Sequence, residues 1–192
     1  MPQIILASSS IYRKELLERL LLHFQIVKPG MEEVRIETES AYDTAARLSE
    51  EKTKKVSSKF KEAIVIGCDQ TAECNNIQIQ KPLNYKSAIS QLTELSGKRV
   101  NFHSAICLYQ RKINIIEKKV VSFDVKYKKI TLSQIKNYLE KEKPFDCVGS
   151  VKSEGLGITI LEEINSNDPT AVIGLPLITL ISMLNKAGMR IT

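Results

Sequence analysis

Apolar residues fall in short unbroken runs separated by stretches of helical spacing. Residues 4–7 and 63–68 are continuous apolar runs of strand length, and each reads as a buried strand. Residues 11–22 place Leu16, Leu17, Leu20 and Leu21 on one face of a helix, after a Ser8-Ser9-Ser10 loop. Ser40 with Asp43 marks the start of a second helix, predicted to run to about Ser58. A short strand is expected at residues 77–79. Asn84 opens a third helix that ends at Ser96-Gly97, where glycine suits a left-handed cap. Two long alternating segments, 100–109 and 113–127, flank Gln110-Arg111-Lys112 and predict an antiparallel hairpin. Thr131 with Gln134 forms a capping box for a helix reaching about Lys141. Residues 148–157 read as a loop with three glycines and 158–161 as a short strand. Pro176 and Gly188 bracket a final helix. Strands alternating with helices, plus one hairpin, predict an α/β class with a mixed sheet.

Composition narrows the class. The 192 residues, 43% apolar, suffice for one compact domain or two small lobes with a real core. No apolar run approaches the ~18–20 residues of a membrane span. The first residues enter a strand with no basic stretch, so a signal peptide is not expected. Cys68, Cys74, Cys107 and Cys147 lack C-x-x-C spacing, which argues against zinc or a disulfide framework and fits a reducing cytosol. Only His23 and His103 exist, too few for a histidine-built metal site. The net charge of +6 suits an anionic ligand, but the lysines are dispersed and no basic block with interleaved aromatics marks a nucleic-acid surface.

Several residues stand out against this background. Asp69 follows the 63–68 run, and a carboxylate just past such a strand lies where an α/β sheet opens into its ligand crevice. Aspartate is a poor strand former, which favours function there, with a turn or cap as the plain reading. Lys81, fixed beside Pro82, follows the 77–79 strand. Ser8, Ser10 and Arg13 lie at a strand–loop–helix junction, where N–H groups, hydroxyls and a guanidinium attract phosphate. Spacing alone makes Ser10 a cap and Arg13 a solvated first-turn residue. Glu32-Glu33, after a turn, either hold a divalent ion or face water. Lys52, in the Glu50-Glu51-Lys52 run, has i,i+4 pairing as its ordinary explanation. Ser150, Lys152, Ser153 and Glu154 precede Gly155-Leu156-Gly157 in a polar loop whose glycines allow close approach to a ligand. Asp168-Pro169 and Gly174-Leu175-Pro176 read as architectural.

Taken together, these segments resemble one family in order and along almost the whole chain. Residues 5–17, Glu32-Glu33, Ser49-Glu50-Glu51-Lys52, Gly67-Cys68-Asp69-Gln70, Lys81-Pro82, Leu95-Ser96-Gly97 and Gly174-Leu175-Pro176-Leu177 look like the Maf family of nucleoside triphosphate pyrophosphatases. The 147–159 segment, with Cys68-Asp69-Gln70 and Asp168-Pro169, looks like its YceF-type branch, associated with 7-methyl-GTP. The chain departs from the family pattern at Ser9 and Gln80, where glycine is usual. Tyr12 stands at the second basic position of the opening motif, a position linked to substrate choice.

The resemblance implies an elongated Maf-like, ITPase-like fold: a long mixed sheet, helices on its faces and two lobes around a central cleft. It implies hydrolysis between the α and β phosphates, with Asp69 as general base. Ser8, Ser10, Arg13, Lys52 and Lys81 would hold the triphosphate. Glu33 and Asp69 would coordinate Mg²⁺ or Mn²⁺. Tyr12, Gln70 and Glu154 would set base choice, an acidic partner suiting a positively charged methylated guanine. It further implies a cytoplasmic homodimer that clears modified nucleotides. The competing readings are a UTP or dTTP pyrophosphatase of the same family, a non-catalytic nucleotide-binding regulator of cell division, and, from charge alone, a nucleic-acid-binding protein.

Overall fold

The computed structural model describes residues 2–191. In chain order the elements are β1 (Ile4–Ala7), α1 (Ile11–Glu18), β2 (Phe24–Ile26), α2 (Ala41–Ser57), β3 (Ile64–Cys74), β4 (Ile77–Ile79), α3 (Tyr85–Leu95), β5 (Arg99–Gln110), β6 (Ile115–Tyr127), α4 (Leu132–Glu142), β7 (Leu161–Asn165) and α5 (Leu177–Lys186). The strands form one mixed sheet in the order β2-β1-β3-β5-β6-β7, with β4 paired to β3. β1 is parallel to both β2 and β3, and β4 and β7 run antiparallel to their neighbours. The expected α/β class with a mixed sheet is therefore observed.

The chain divides into two compact units. The first holds the residues up to Gln70, Ser104–Val121, and those from Asp168 on; the second holds Thr71–His103 and Ser122–Asn167. In the first unit, strand alternation splits the core in two. Ile4 and Leu6, Ile64, Ile66 and Cys68, and Ile106 and Leu108 pack with Leu16 and Leu17 of α1 and Leu180, Met183 and Leu184 of α5. The opposite parity, Ile5, Ala7 and Val65, packs on Val56 near the end of α2. In the second unit Phe102 and Phe123 stack with ring centroids 5.3 Å apart. Ala88, Leu92 and Leu95 of α3 and Ile135 and Leu139 of α4 are buried there.

Three boundaries differ from expectation. The strand predicted to stop at Cys68 continues to Cys74, so Asp69 lies inside β3 rather than just past it. What ends near Asp69 is the pairing with β1, whose last partners are Ala7 and Gly67. The first helix stops at Glu18, four residues short of the predicted end. Leu21 adopts a left-handed φ of 53° and is exposed. That turn leaves Leu20 and Leu22 on the core and starts β2, a strand the periodicity did not reveal. Of the strand expected at residues 158–161, only Leu161 is in a strand. A 3₁₀ turn covers Leu156–Ile160, with Thr159 Oγ1 donating to the Leu156 carbonyl at 2.7 Å, and β7 starts only at Leu161. The loop at 148–157 likewise contains a short 3₁₀ turn at Val148–Ser150.

Candidate active site

The first unit builds its site on β3 and α2. Gly67 has no side chain because α2 crosses here in close contact: a Cβ would lie 2.1 Å from Thr53 Oγ1 and 2.6 Å from the Ser49 carbonyl oxygen. Two residues on, on the same face of β3, Asp69 meets Lys52, one turn of α2 away from Ser49. Lys52 Nζ lies 2.5 Å from Asp69 Oδ1 and 2.8 Å from Glu33 Oε1. Lys52 and Asp69 are buried, whereas Glu33 reaches in from the exposed loop before α2. The i,i+4 explanation of Lys52 is therefore replaced. The i,i+4 pairs of this helix are Arg47–Glu51 and Glu50–Lys54.

Burial pushes the Asp69 carboxyl above its ordinary value of 3.8, against the pull of the nearby Lys52 and Arg13 cations. The neighbouring Cys68 thiol is pushed up to about 12 by burial, so it stays protonated and is no competing nucleophile.

Arg13 is not a solvated first-turn residue. Its Nε donates to the Gly174 carbonyl at 3.0 Å and its Nη1 to the Cys68 carbonyl at 2.9 Å. The guanidinium carries more N–H donors than these bonds use, and it is tied to the residue adjoining Asp69. Ser10 does cap α1, its Oγ accepting from the Arg13 N–H at 3.4 Å. Ser8, buried, accepts from the Ser10 N–H at 3.1 Å. The two hydroxyls thus shape the loop leaving β1. Tyr12 is half-buried in the first turn of α1.

Gln70 is held from within the unit. Its Nε2 donates to Ser104 Oγ at 2.8 Å and to the Ala171 carbonyl at 3.0 Å, and Ser104 Oγ donates to the same carbonyl at 2.7 Å. The turn bearing Gly174, whose φ is +116°, is thereby clamped from Gln70, while its own carbonyl holds Arg13. The Gly174-Leu175-Pro176 turn, read as architectural, also orients a site residue. Ser104 and the 171–174 carbonyls were not anticipated. The available signal was a serine, Ser104, inside the apolar run of β5.

Lys81 and Glu154 belong to the second unit. Lys81 is exposed after β4, next to the buried Pro82. Glu154 sits on a loop clasped by α4: Glu142 takes Lys152 Nζ at 2.9 Å and the Leu156 N–H at 2.5 Å, and Tyr138 Oη accepts from the Lys152 N–H at 3.2 Å. The Glu154 carboxyl is raised from its ordinary value by desolvation, although the residue as a whole is exposed.

The four cysteines are free thiols, Cys68, Cys74 and Cys107 among them buried. Among the described residues no three His, Cys, Asp or Glu side chains cluster as a metal site, and no helix is long and apolar enough to cross a membrane.

The first unit therefore defines an α/β protein with a buried carboxylate–lysine pair at the carboxyl end of its parallel strands, a position where such sheets take anionic ligands. The chain belongs to the Maf family: the model for that family, described as Maf-like protein, matches residues 3–187. It is 46% identical over 191 residues to a 7-methyl-GTP pyrophosphatase of Methylobacillus flagellatus, covering 100% of both chains. A 7-methyl-GTP pyrophosphatase of Ralstonia nicotianae is 45% identical over 185 residues, covering 96% of this chain and 95% of that one. Among solved structures, a HAM1 protein from Coxiella burnetii matches 66% of this chain and 73% of its own, with a TM-score of 0.46 and 13% identity.

Proposed function

We propose that this protein is a nucleoside triphosphate pyrophosphatase that cleaves the bond between the α and β phosphates, releasing nucleoside monophosphate and pyrophosphate, with 7-methyl-GTP as its substrate. The observation that carries the chemistry is the buried Asp69, bonded to Lys52 and shifted upward by burial. A base held off its ordinary pKa toward neutrality takes a proton more effectively at working pH. The choice of 7-methyl-GTP leans on the activity named for relatives that the chain matches along nearly their whole length.

In this reading Asp69 removes the proton from the water that attacks phosphorus. Lys52 and Arg13 hold phosphate oxygens and offset the charge that grows on them. Ser8 and Ser10 line the loop that receives the phosphates, and Lys81 contributes a further cation. Glu154 faces the positively charged methylated base, with Tyr12 at its border. Gln70, bonded to Ser104 and Ala171, fixes the turn that holds Arg13 and influences base choice through that turn.

Glu33 and Asp69 fit a divalent cation. Their carboxylates already converge on one cationic centre, Lys52 Nζ, and Mg²⁺ or Mn²⁺ sites commonly use one or two carboxylates plus water and phosphate oxygens. Such an ion would supply charge neutralisation at the phosphates. A cytoplasmic homodimer clearing modified nucleotides completes the proposal and rests on family membership.

The test is pyrophosphate release from 7-methyl-GTP, GTP, UTP and dTTP, side by side with Mg²⁺ or Mn²⁺. The expected result is release from 7-methyl-GTP in clear preference to the others. Preference for UTP or dTTP would keep the reaction and overturn the substrate. Release from none would leave a nucleotide-binding regulator.

A further inference from the structure

Gln91 of α3 makes two bonds that an ordinary solvent-facing helix glutamine does not. Its Nε2 donates to the Gln80 carbonyl at 2.8 Å, and its Oε1 accepts from Ser150 Oγ at 2.6 Å. The partners are remote in sequence, 11 residues before it and 59 after. The bonds also fix the orientation of the amide, because a carbonyl can only accept and so takes the NH₂ group.

Each partner adjoins a residue placed in the proposed site. Gln80 immediately precedes Lys81, and Ser150 opens the loop that carries Lys152 and Glu154. Both segments are held by bonds from outside themselves. Ser150 is fully buried with a left-handed φ of 54°, uncommon for a residue other than glycine, directly after Gly149 at 72°. Tyr127 Oη secures the Gly149 carbonyl at 3.0 Å, and Gln91 secures the next residue. Past Lys81, the Leu83 N–H donates to the Phe145 carbonyl at 2.9 Å, so Lys81 is held on one side by that bond and on the other by Gln91. The helix bearing Gln91 is itself anchored through Ala88, Leu92 and Leu95, all buried.

We propose that Gln91 is a positioning residue of the enzyme, setting the Lys81 segment and the 149–154 loop through one amide. The inference rests on the reading of Lys81 and Glu154 given above. Gln91 touches no reacting atom; it acts through Lys81 on one arm and through Ser150 on the other.

The test is a double-mutant cycle on pyrophosphate release. Gln91→Ala is expected to lower kcat/KM for 7-methyl-GTP about tenfold in the wild-type background and by clearly less, about threefold, in a Lys81→Ala background, where only the Ser150 arm remains to be lost. The arms separate with two further variants. Gln91→Glu keeps an acceptor for Ser150 but sets a carboxylate against the Gln80 carbonyl, so it is expected to raise KM and leave the preference for 7-methyl-GTP over GTP intact. Ser150→Ala keeps the Gln80 bond and is expected to shift that preference. Equal losses from Gln91→Ala in both backgrounds, with active wild-type protein, would overturn this inference alone. Wild-type protein releasing no pyrophosphate would instead overturn the functional reading beneath it.

Discussion

Two of the paired cations of helix α2, Arg47 and Lys52, differ in their surroundings, and that makes them different groups. Arg47 lies toward solvent, bonded to Glu39 at 2.7 Å and Glu51 at 3.2 Å. It lines a cavity of about 370 Å³ with Glu50, Glu51, Lys54 and Lys118, where Lys54 and Lys118 both pair with Glu50. Lys52 points the other way, onto β3, where it and Asp69 are each only 7% exposed. The titration of the two acids separates the sites. Bonding to Arg47 holds the Glu39 carboxyl below its ordinary range, since the partner outweighs the small desolvation. Burial lifts the Asp69 carboxyl despite Lys52 and Arg13. Surroundings, more than charge, set whether a paired acid is held ionised or pushed toward its neutral form.

The signs for stability are opposite too. Glu39, depressed in the fold, contributes stability that is present above its unfolded pKa and lost as pH falls through the folded value. Asp69, raised in the fold, contributes stability that is complete below its unfolded pKa and lost as pH rises through the folded value. Ionised Asp69 is thus a standing cost of the fold, as expected of a group kept for chemistry.

Breaking the buried pair should have the largest effect. Lys52→Ala leaves a buried carboxylate without its main partner. It should lower the free energy of unfolding by about 3–5 kcal/mol in denaturant titration. In whatever folds, the acid limb of the activity profile should move to higher pH, because Asp69 loses the cation that opposes its desolvation. The half-buried Arg47–Glu39 pair should do less. Arg47→Ala should lower stability by about 1–3 kcal/mol, measured the same way, and leave pyrophosphate release unchanged. A large loss of activity in Arg47→Ala would erase the distinction between the two faces of α2.

Much of this was legible in the chain because it is local. Capping at Ser40, Asn84 and Thr131, the neighbouring β5 and β6 joined by a short turn, and the glycine ends at Gly97 and Gly188 follow from neighbouring residues, and each is found. β2 was not legible. It is three residues long, only partly covered, and defined by a parallel pairing with β1 that no local pattern encodes. The site divides likewise. Asp69 was conspicuous as an acid after an apolar run, and Lys81 by its proline. Lys52 and Arg13 read as ordinary surface charges, because their partners, Asp69, Cys68 and Gly174, are brought to them only by folding. Gln70, taken as a reader of the base, spends its amide on Ser104 and Ala171, which sequence spacing does not reveal.

The most direct test of the account is the pH dependence of pyrophosphate release from 7-methyl-GTP by wild-type protein and by Asp69→Asn. The account predicts an acid limb for the wild type with its midpoint above the ordinary 3.8 of an aspartate. It predicts that Asp69→Asn remains folded, loses about 10²–10⁴-fold in kcat and no longer shows that limb. Full activity in Asp69→Asn, or an unchanged acid limb, would contradict it.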